Sequence, residues 1–319
     1  MVRAGRLTNV ALLCLLTASF ATGWVAFELS GQPARAILLI HAAAGVAIVL
    51  LVPWKSLVAR RGLRRPRSLR WASLVLAVGL LVSLAFGFLH SLGHPDVGYL
   101  TAMDFHVGAA LAVVPFVVWH VLARPVRLRP ADLSRRSFLK GAALLGASAL
   151  GVAALPVARR APTGSFRAAY AIPTQWMFDV TPAVGIDRWS LRVAGRTWTY
   201  EELGAYSDRV MAVLDCTGGW YSEQAWEGVW LDRLLPPGVA GWSSVNVRSV
   251  TGYSRRFAVQ DAPRLLLATR LDGSALDPGH GFPVRLVVPG QRGFAWVKWV
   301  ASVDAEQVPS WWQPPFPLQ

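Results

Sequence analysis

The chain has 319 residues, 54% of them hydrophobic and only 16% charged, and a mean hydropathy of +0.39. That excludes an ordinary soluble globule and leaves room for at least two domains. The net charge of +14 is uneven: residues 1–158 hold 16 Lys and Arg against four acids (Glu28, Asp96, Asp104, Asp132), while the remainder is nearly balanced. Basic residues gathered between apolar runs mark cytoplasmic loops, so the charge argues for a membrane and against a nucleic-acid partner.

Residues 7–29, 36–53, 71–90 and 105–123 are each mostly apolar, close to the roughly 20 residues that a helix needs to span a bilayer. They predict a four-helix transmembrane domain over residues 1–125. Segment 54–71 carries Lys55, Arg60, Arg61, Arg64, Arg65, Arg67 and Arg70, and segment 121–140 carries six more basic residues, whereas 91–104 has none. The N-terminus and both basic segments are therefore expected inside, with 28–35 and 91–104 outside. Trp54, Trp71 and Trp119 fall at inner span ends and Trp24 near an outer one, as interfacial aromatics do. No cleavage site stands out after the first run, which reads as a retained helix.

Five of the six histidines lie in this half: His41, His90, His94, His106 and His120. Ionisable side chains inside spans are costly and usually functional. His41 and His106 lie on different spans at similar depth, near the outer ends, and imidazole is a common axial ligand of a b-type haem. They are the expected pair for a cytochrome-like domain, with His90 as substitute; interhelical hydrogen bonding is the alternative. His120 lies 14 residues beyond His106, about 21 Å along a helix, but the second span offers Lys55 at that level, so one haem is expected.

Residues 126–158 carry Ser134-Arg-Arg-Ser-Phe-Leu-Lys140 ahead of an Ala/Gly-rich apolar run, Phe138–Leu155. This matches the twin-arginine export signal S-R-R-x-F-L-K at every fixed position. The twin-arginine machinery carries folded, cofactor-loaded domains, and the run is expected to stay as a fifth transmembrane helix.

After Pro156 short apolar and polar runs alternate between Gly and Pro, as in a mixed or β-rich domain, expected over 159–319. Asp187–Gly195 reads as a strand and turn. Val213-Leu-Asp-Cys-Thr-Gly-Gly-Trp220 places a cysteine at a strand end before small residues. Trp226–Leu235, Val250-Thr-Gly-Tyr253, Gly279-His-Gly-Phe-Pro-Val-Arg-Leu-Val-Val-Pro-Gly290 and Phe294-Ala-Trp-Val-Lys-Trp299 follow. Cys14 sits in the first span as a packing residue, which leaves Cys216 as the extramembrane thiol, a soft ligand of the kind that suits thiophilic metals.

These ordered motifs resemble the sulfite oxidase family of molybdopterin enzymes over most of 185–319, which implies a mixed α+β fold. The resemblance makes Cys216 the molybdenum ligand and puts Tyr253 at the reacting centre. It places Arg285, Lys298, His280 and Thr251, with backbone groups of Trp296 and Val297, around the phosphate-bearing pterin. The chain ends at Gln319 without the immunoglobulin-like dimerisation domain of sulfite oxidases proper, a plan that resembles the periplasmic sulfoxide reductase branch. The Asn-Phe-Tyr-Glu-like stretch of that branch is not recognisable in Thr174-Gln-Trp-Met-Phe178.

The expected whole is a multi-pass protein of the cytoplasmic membrane, with its molybdopterin domain on the outer side and a haem near the outer surface. It would exchange electrons with the quinone pool and reduce an S-oxide or N-oxide, small or protein-bound. The alternatives are a sulfite-type oxidase feeding quinone and a metal-free binding or sensory ectodomain on a helical anchor.

Overall fold

The structure, a computed structural model, describes residues 5–63, 70–94, 96–97, 100–126, 130, 134–172, 180–238 and 241–314. Part of the basic loop (64–69) and the stretch 174–178 lie outside the described residues. The chain divides into two compact units, Met1–Gly164 and Ser165–Gln319.

The first unit is helical: α1 (Arg6–Glu28), α2 (Gly31–Leu63), α3 (Arg70–Leu92), α4 (Ala102–Ala123) and α5 (Arg135–Ala154). All five are long and apolar enough to cross a membrane. Their outward faces carry Leu74, Leu81, Leu122 and Leu150, each more than half exposed. So much bare aliphatic surface would be unfavourable in water, at about 25 cal/mol per Å², and suits hydrocarbon. α1 packs on α2, α3 on α4 and α5 on α2. Small residues permit the approach: a Cβ added to Gly79 would overlap Val113, and one on Gly151 would come within 3.0 Å of Val46.

Helix ends follow local chemistry. Thr101 and Asp104 form a reciprocal capping box at the start of α4. α3 and α4 are joined through a small hairpin of β1 (Asp96–Val97) and β2 (Leu100–Thr101). α2 continues through Pro53 to Leu63, past the expected end at residue 53. Lys, Arg, Ala and Leu are good helix formers, so the helix outlasts its apolar stretch. Ser134 caps α5, accepting from Ser137 N–H at 3.3 Å, and Arg135 and Arg136 open that helix with both side chains exposed. Beyond α5, Arg160 donates to the His90 carbonyl at 2.8 Å, and Arg35 donates to the Arg160 carbonyl at 2.8 Å.

The second unit holds two mixed sheets. The first is built on the antiparallel pairs β6 (Asp208–Asp215) with β7 (Trp220–Trp230) and β7 with β10 (Leu266–Leu271). β3 (Phe166–Arg167) runs parallel to β7, and β11 (Ser274–Ala275) and β12 (Arg285–Val287) pair with β10. The second sheet has the order β5 (Arg196–Trp198), β4 (Leu191–Val193), β13 (Val300–Glu306), β8 (Ser244–Ser249), β9 (Ser254–Ala258). A short helix, α6 (Tyr200–Gly204), follows β5 behind a Thr199–Glu202 capping box. The strand expected in 187–195 is β4, closed by Ala194 and Gly195, both at positive φ.

The core of this unit is dense: Leu191, Leu203, Trp220, Trp226, Leu231, Leu265, Leu266, Leu267 and Leu286 are essentially buried. Gly228 marks where β7 and β10 draw together, since a Cβ there would collide with the Leu267 carbonyl. Beside it the register shifts between Ala268 and Arg270. These strands and turns hold the loops described next.

Candidate functional site

Cys216 closes β6. Its N–H donates to the Trp220 carbonyl at 2.8 Å, and its carbonyl accepts from Gly219 at 3.1 Å, so a tight turn carries the thiol between β6 and β7. Gly219 has φ +90°, a conformation open to glycine at little cost; this is why small residues follow the cysteine. The Gly218 N–H lies 3.4 Å from Sγ. A Cβ on Gly218 would stand 3.6 Å from Sγ and 3.7 Å from the Trp220 indole nitrogen, so that indole borders the half-buried thiol.

The turn is braced from behind. Asp215 accepts from Ser165 Oγ at 2.7 Å and faces the Arg292 guanidinium at 3.3 Å; Arg292 also reaches the Cys216 carbonyl at 3.5 Å. Gly293 crosses so closely that a Cβ would lie 3.1 Å from the Asp215 carbonyl and 3.2 Å from Cys216 Cα. The sequence reading did not single out Asp215, Ser165 or Arg292. Only the adjacency of Asp215 to the cysteine hinted at the first, and the other two arrive by long-range pairing.

Arg285, on β12, is, like Arg292, a buried cation of this unit. It is 3% exposed. One guanidinium nitrogen donates to the His280 carbonyl at 3.1 Å, and the group lies 5.4 and 5.6 Å from the ring centres of Trp226 and Trp296. Burial pulls its pKa down from the usual arginine value to about 10, and the charge of neighbouring Cys216 pulls the other way.

Lys298 and His280 flank this cation. Gly281 has φ +112°, and a Cβ on it would stand 3.1 Å from Lys298 Cβ and 3.2 Å from Arg285 Cβ, so only glycine lets the two cation-bearing segments close. Lys298 Nζ donates to the Gly279 carbonyl at 2.7 Å. His280 Nε2 lies 2.8 Å from the Ala171 carbonyl, which can only accept, so Nε2 carries the proton. Burial holds the His280 pKa below the ordinary value, with Arg285 and Lys298 adding to that, while the Ala171 bond and Asp277 oppose it.

Thr251 sits exposed in the β8–β9 turn, beside the 290–299 loop through the Val250 N–H to Trp299 carbonyl bond of 2.9 Å. The Tyr253 hydroxyl donates to the Phe294 carbonyl; in this arrangement Tyr253 braces the loop that abuts Cys216. Trp296 and Val297 are buried. The Trp296 N–H donates to the Gly293 carbonyl, and the Val297 carbonyl accepts from Leu286.

In the helical unit the His41 and His106 rings face each other, centres 5.8 Å apart and nearly perpendicular. They stand on α2 and α4, which are not among the closely packed helix pairs. His90 is buried on α3 and bonded to the Gly164 main chain. His120 lies next to Trp119, and Lys55 donates to Asn9 Oδ1 at 3.0 Å.

Residues 178–312 match the family described as the oxidoreductase molybdopterin binding domain. That stretch is a molybdopterin-binding oxidoreductase domain. The molybdopterin domain contains 58 residues that are 45% identical to mitochondrial sulfite oxidase of Rattus norvegicus, covering 18% of this chain and 11% of that protein. Another 53-residue match is 40% identical to the NADH nitrate reductase of Spinacia oleracea, over 17% of this chain and 6% of that one. The chain therefore aligns with only about a tenth or less of the length of these relatives. A solved structure, the sulfane dehydrogenase SoxCD from Paracoccus pantotrophus, aligns over 40% of each chain, with a TM-score of 0.37 and 22% identity.

The residues around Cys216 and Arg285 fit a molybdopterin. Arg285 Nε and the indole N–H groups of Trp220 and Trp226 are buried donors without an acceptor among the described residues. Such donors are costly unless something electron-rich meets them, at about 1–3 kcal/mol each. A metal held at Cys216 would take a thiolate from the chain; among the described residues no three of His, Cys, Asp and Glu converge.

Proposed function

We propose that the protein is anchored in the cytoplasmic membrane by α1–α5, that His41 and His106 would hold a b-type haem able to pass on electrons from quinol, and that Cys216 would hold a molybdenum centre at which they are used. The reaction is reduction of an S-oxide or N-oxide outside the cytoplasm: quinol gives up two electrons and two protons, the oxide accepts two of each, and water leaves. The observation that carries this reading is the half-buried thiol of Cys216, held in the tight turn between β6 and β7 with Gly293 crossing against it.

When bound, the molybdenum cofactor supplies two-electron oxygen-atom exchange, and the haem supplies single electrons. The chain does the rest. Cys216 would hold the metal, and the Ser165–Asp215–Arg292 brace fixes the turn that presents it. Arg285 and the Trp220 indole offset negative charge beside the thiolate, and Lys298, His280 and Thr251 offer donors to the phosphate of the pterin. The Ser134–Lys140 motif supports export of the loaded domain by the twin-arginine machinery, and the basic segments support an inside N-terminus.

A second reading, oxidation of sulfite into the quinone pool, is favoured by the 58-residue likeness to a sulfite oxidase and by buried cations that suit an anionic substrate. The deciding experiment is molybdenum and pterin analysis of the purified chain, followed by turnover in both directions. Quinol-analogue oxidation driven by sulfoxides or N-oxides supports the first reading; quinone reduction by sulfite alone replaces it with the second. A chain that folds in a molybdopterin-producing host yet carries neither metal nor pterin overturns both.

A further inference from the structure

We infer that the histidine pair is assembled by a duplicated device, in which Gly23 and Gly87 are positioning residues that set the imidazoles for metal ligation. The inference rests on the haem reading above. α1 with α2, and α3 with α4, form two hairpins carrying the same elements. α1 holds Ser19-Phe-Ala-Thr-Gly23 and α3 holds Ser83-Leu-Ala-Phe-Gly87; His41 follows Gly23 by 18 residues and His106 follows Gly87 by 19.

In both hairpins the imidazole lies against the glycine of the preceding helix. A Cβ on Gly23 would stand 3.1 Å from His41 Cε1 and 3.3 Å from Nδ1, and one on Gly87 would stand 2.9 Å from His106 Nδ1. A helical side chain leans toward the N-terminus and covers the turn before it. Glycine therefore bares the carbonyl four residues earlier to a neighbour approaching from the side. The histidines use that opening: His41 Nδ1 lies 3.0 Å from the Ser19 carbonyl and His106 Nδ1 lies 2.7 Å from the Ser83 carbonyl.

A carbonyl oxygen only accepts, so Nδ1 carries the proton in both rings and Nε2 is left with its lone pair. This is how a ligating histidine is held: one nitrogen donates to the protein, and its tautomer and ring angle are thereby fixed for the other. The hydroxyls of Thr22 and Ser83 lie near the same nitrogens, at 3.3 and 3.2 Å. Two imidazoles on one metal, with bonds of about 2 Å each, have ring centres about 6 Å apart; these two stand at 5.8 Å. The device appears once per hairpin, so the two halves of the site are equivalent in kind.

The test uses the full-length chain in detergent, with reduced-minus-oxidised absorption and electron paramagnetic resonance as readouts. Gly23→Ala and Gly87→Ala should each cut low-spin haem at least about tenfold, as loss of a ligand's outer partner does, or convert it to a five-coordinate high-spin form. Gly45→Ala, where the structure has nothing within 4 Å of the new methyl, should leave the spectrum unchanged. Gly79→Ala presses on Val113 instead and serves as the packing control. If it lowers thermal stability as much as the other two and loses the haem signal equally, positioning is overturned in favour of simple packing. Unaltered low-spin haem in both Gly23→Ala and Gly87→Ala also overturns this inference while leaving the haem reading intact. A wild-type chain free of haem overturns the haem reading itself, and this inference with it.

Discussion

The two candidate sites treat buried polar groups in opposite ways. In the helical unit, His41 and His106 each give Nδ1 to a main-chain carbonyl, so their polar requirement is met before any ligand arrives. In the sheet unit, Arg285 Nε and the Trp220 and Trp226 indoles are left without acceptors among the described residues. A metal bound end-on by nitrogen needs an oriented lone pair, which a rigid helix backbone supplies. A bulky anionic cofactor needs donors held open around it, and a strand-and-loop framework can supply them at some cost in stability. On the proposed reading, the histidine site is pre-set in tautomer, whereas the cysteine site is completed by its cofactor.

The strongest way to break the comparison is at the thiol. Cys216→Ser should remove molybdenum-dependent turnover by more than the roughly 10–100-fold that loss of an outer partner costs. Tryptophan fluorescence and thermal unfolding should change little. Full turnover with molybdenum retained would show that the metal does not depend on Cys216. Next come the imidazoles: His41→Ala and His106→Ala should each abolish the low-spin haem band, and His120→Ala should keep it. Quinol-linked turnover should fall with the band, while turnover with a soluble artificial donor survives.

Legibility in the sequence differed in the same way between the units. The five helices could be read because each apolar run is long enough to need no partner for recognition; α2 alone ran on, through Pro53 to Leu63, on helix-forming basic residues. Cys216, His280, Arg285 and Lys298 were marked by the resemblance to the sulfite oxidase family; the structure closes the Arg285 and Lys298 segments around Gly281 and sets Gly293 against Cys216. Arg292 and Ser165 were not marked, because their roles come from contacts with Asp215 across 77 and 50 residues of chain. The Ser19 and Ser83 carbonyls were beyond reading: a main-chain acceptor belongs to every residue type, and only the glycines four positions later hint that it is exposed.

A finer prediction separates cofactor binding from folding in the sheet unit. Arg285 is buried with one donor unmet. Replacing a buried ionic group by an apolar one of similar length is often neutral or stabilising, by about 1–4 kcal/mol. Arg285→Met should therefore leave the cofactor-free chain as stable as the parent or more so, and yet abolish retention of molybdopterin. Loss of thermal stability in the cofactor-free variant, instead, would make Arg285 a structural cation.

The smallest expected effect concerns His280. Its folded-state pKa lies below the ordinary value of 6.5, chiefly because the ring is buried, so the unfolded chain binds the proton more readily than the folded one. Stability linked to this group is then complete above pH 6.5 and is lost as pH falls below it. The slope is at most about 1.4 kcal/mol per pH unit for a single group. Hydrogen exchange of residues 284–288 in the cofactor-free chain should report it, because Arg285 donates to the His280 carbonyl at 3.1 Å and ties β12 to that turn. Protection there should weaken between pH 6.5 and 5, and His280→Gln, which does not titrate, should flatten the dependence. Arg285 and Lys298 face the ring and keep their charge through this range, so the slope belongs to the imidazole; Asp277, 4.0 Å from Nδ1, opposes it, and Asp277→Asn should steepen the loss. An acid slope unchanged in His280→Gln would assign it to carboxylates elsewhere in the sheet unit.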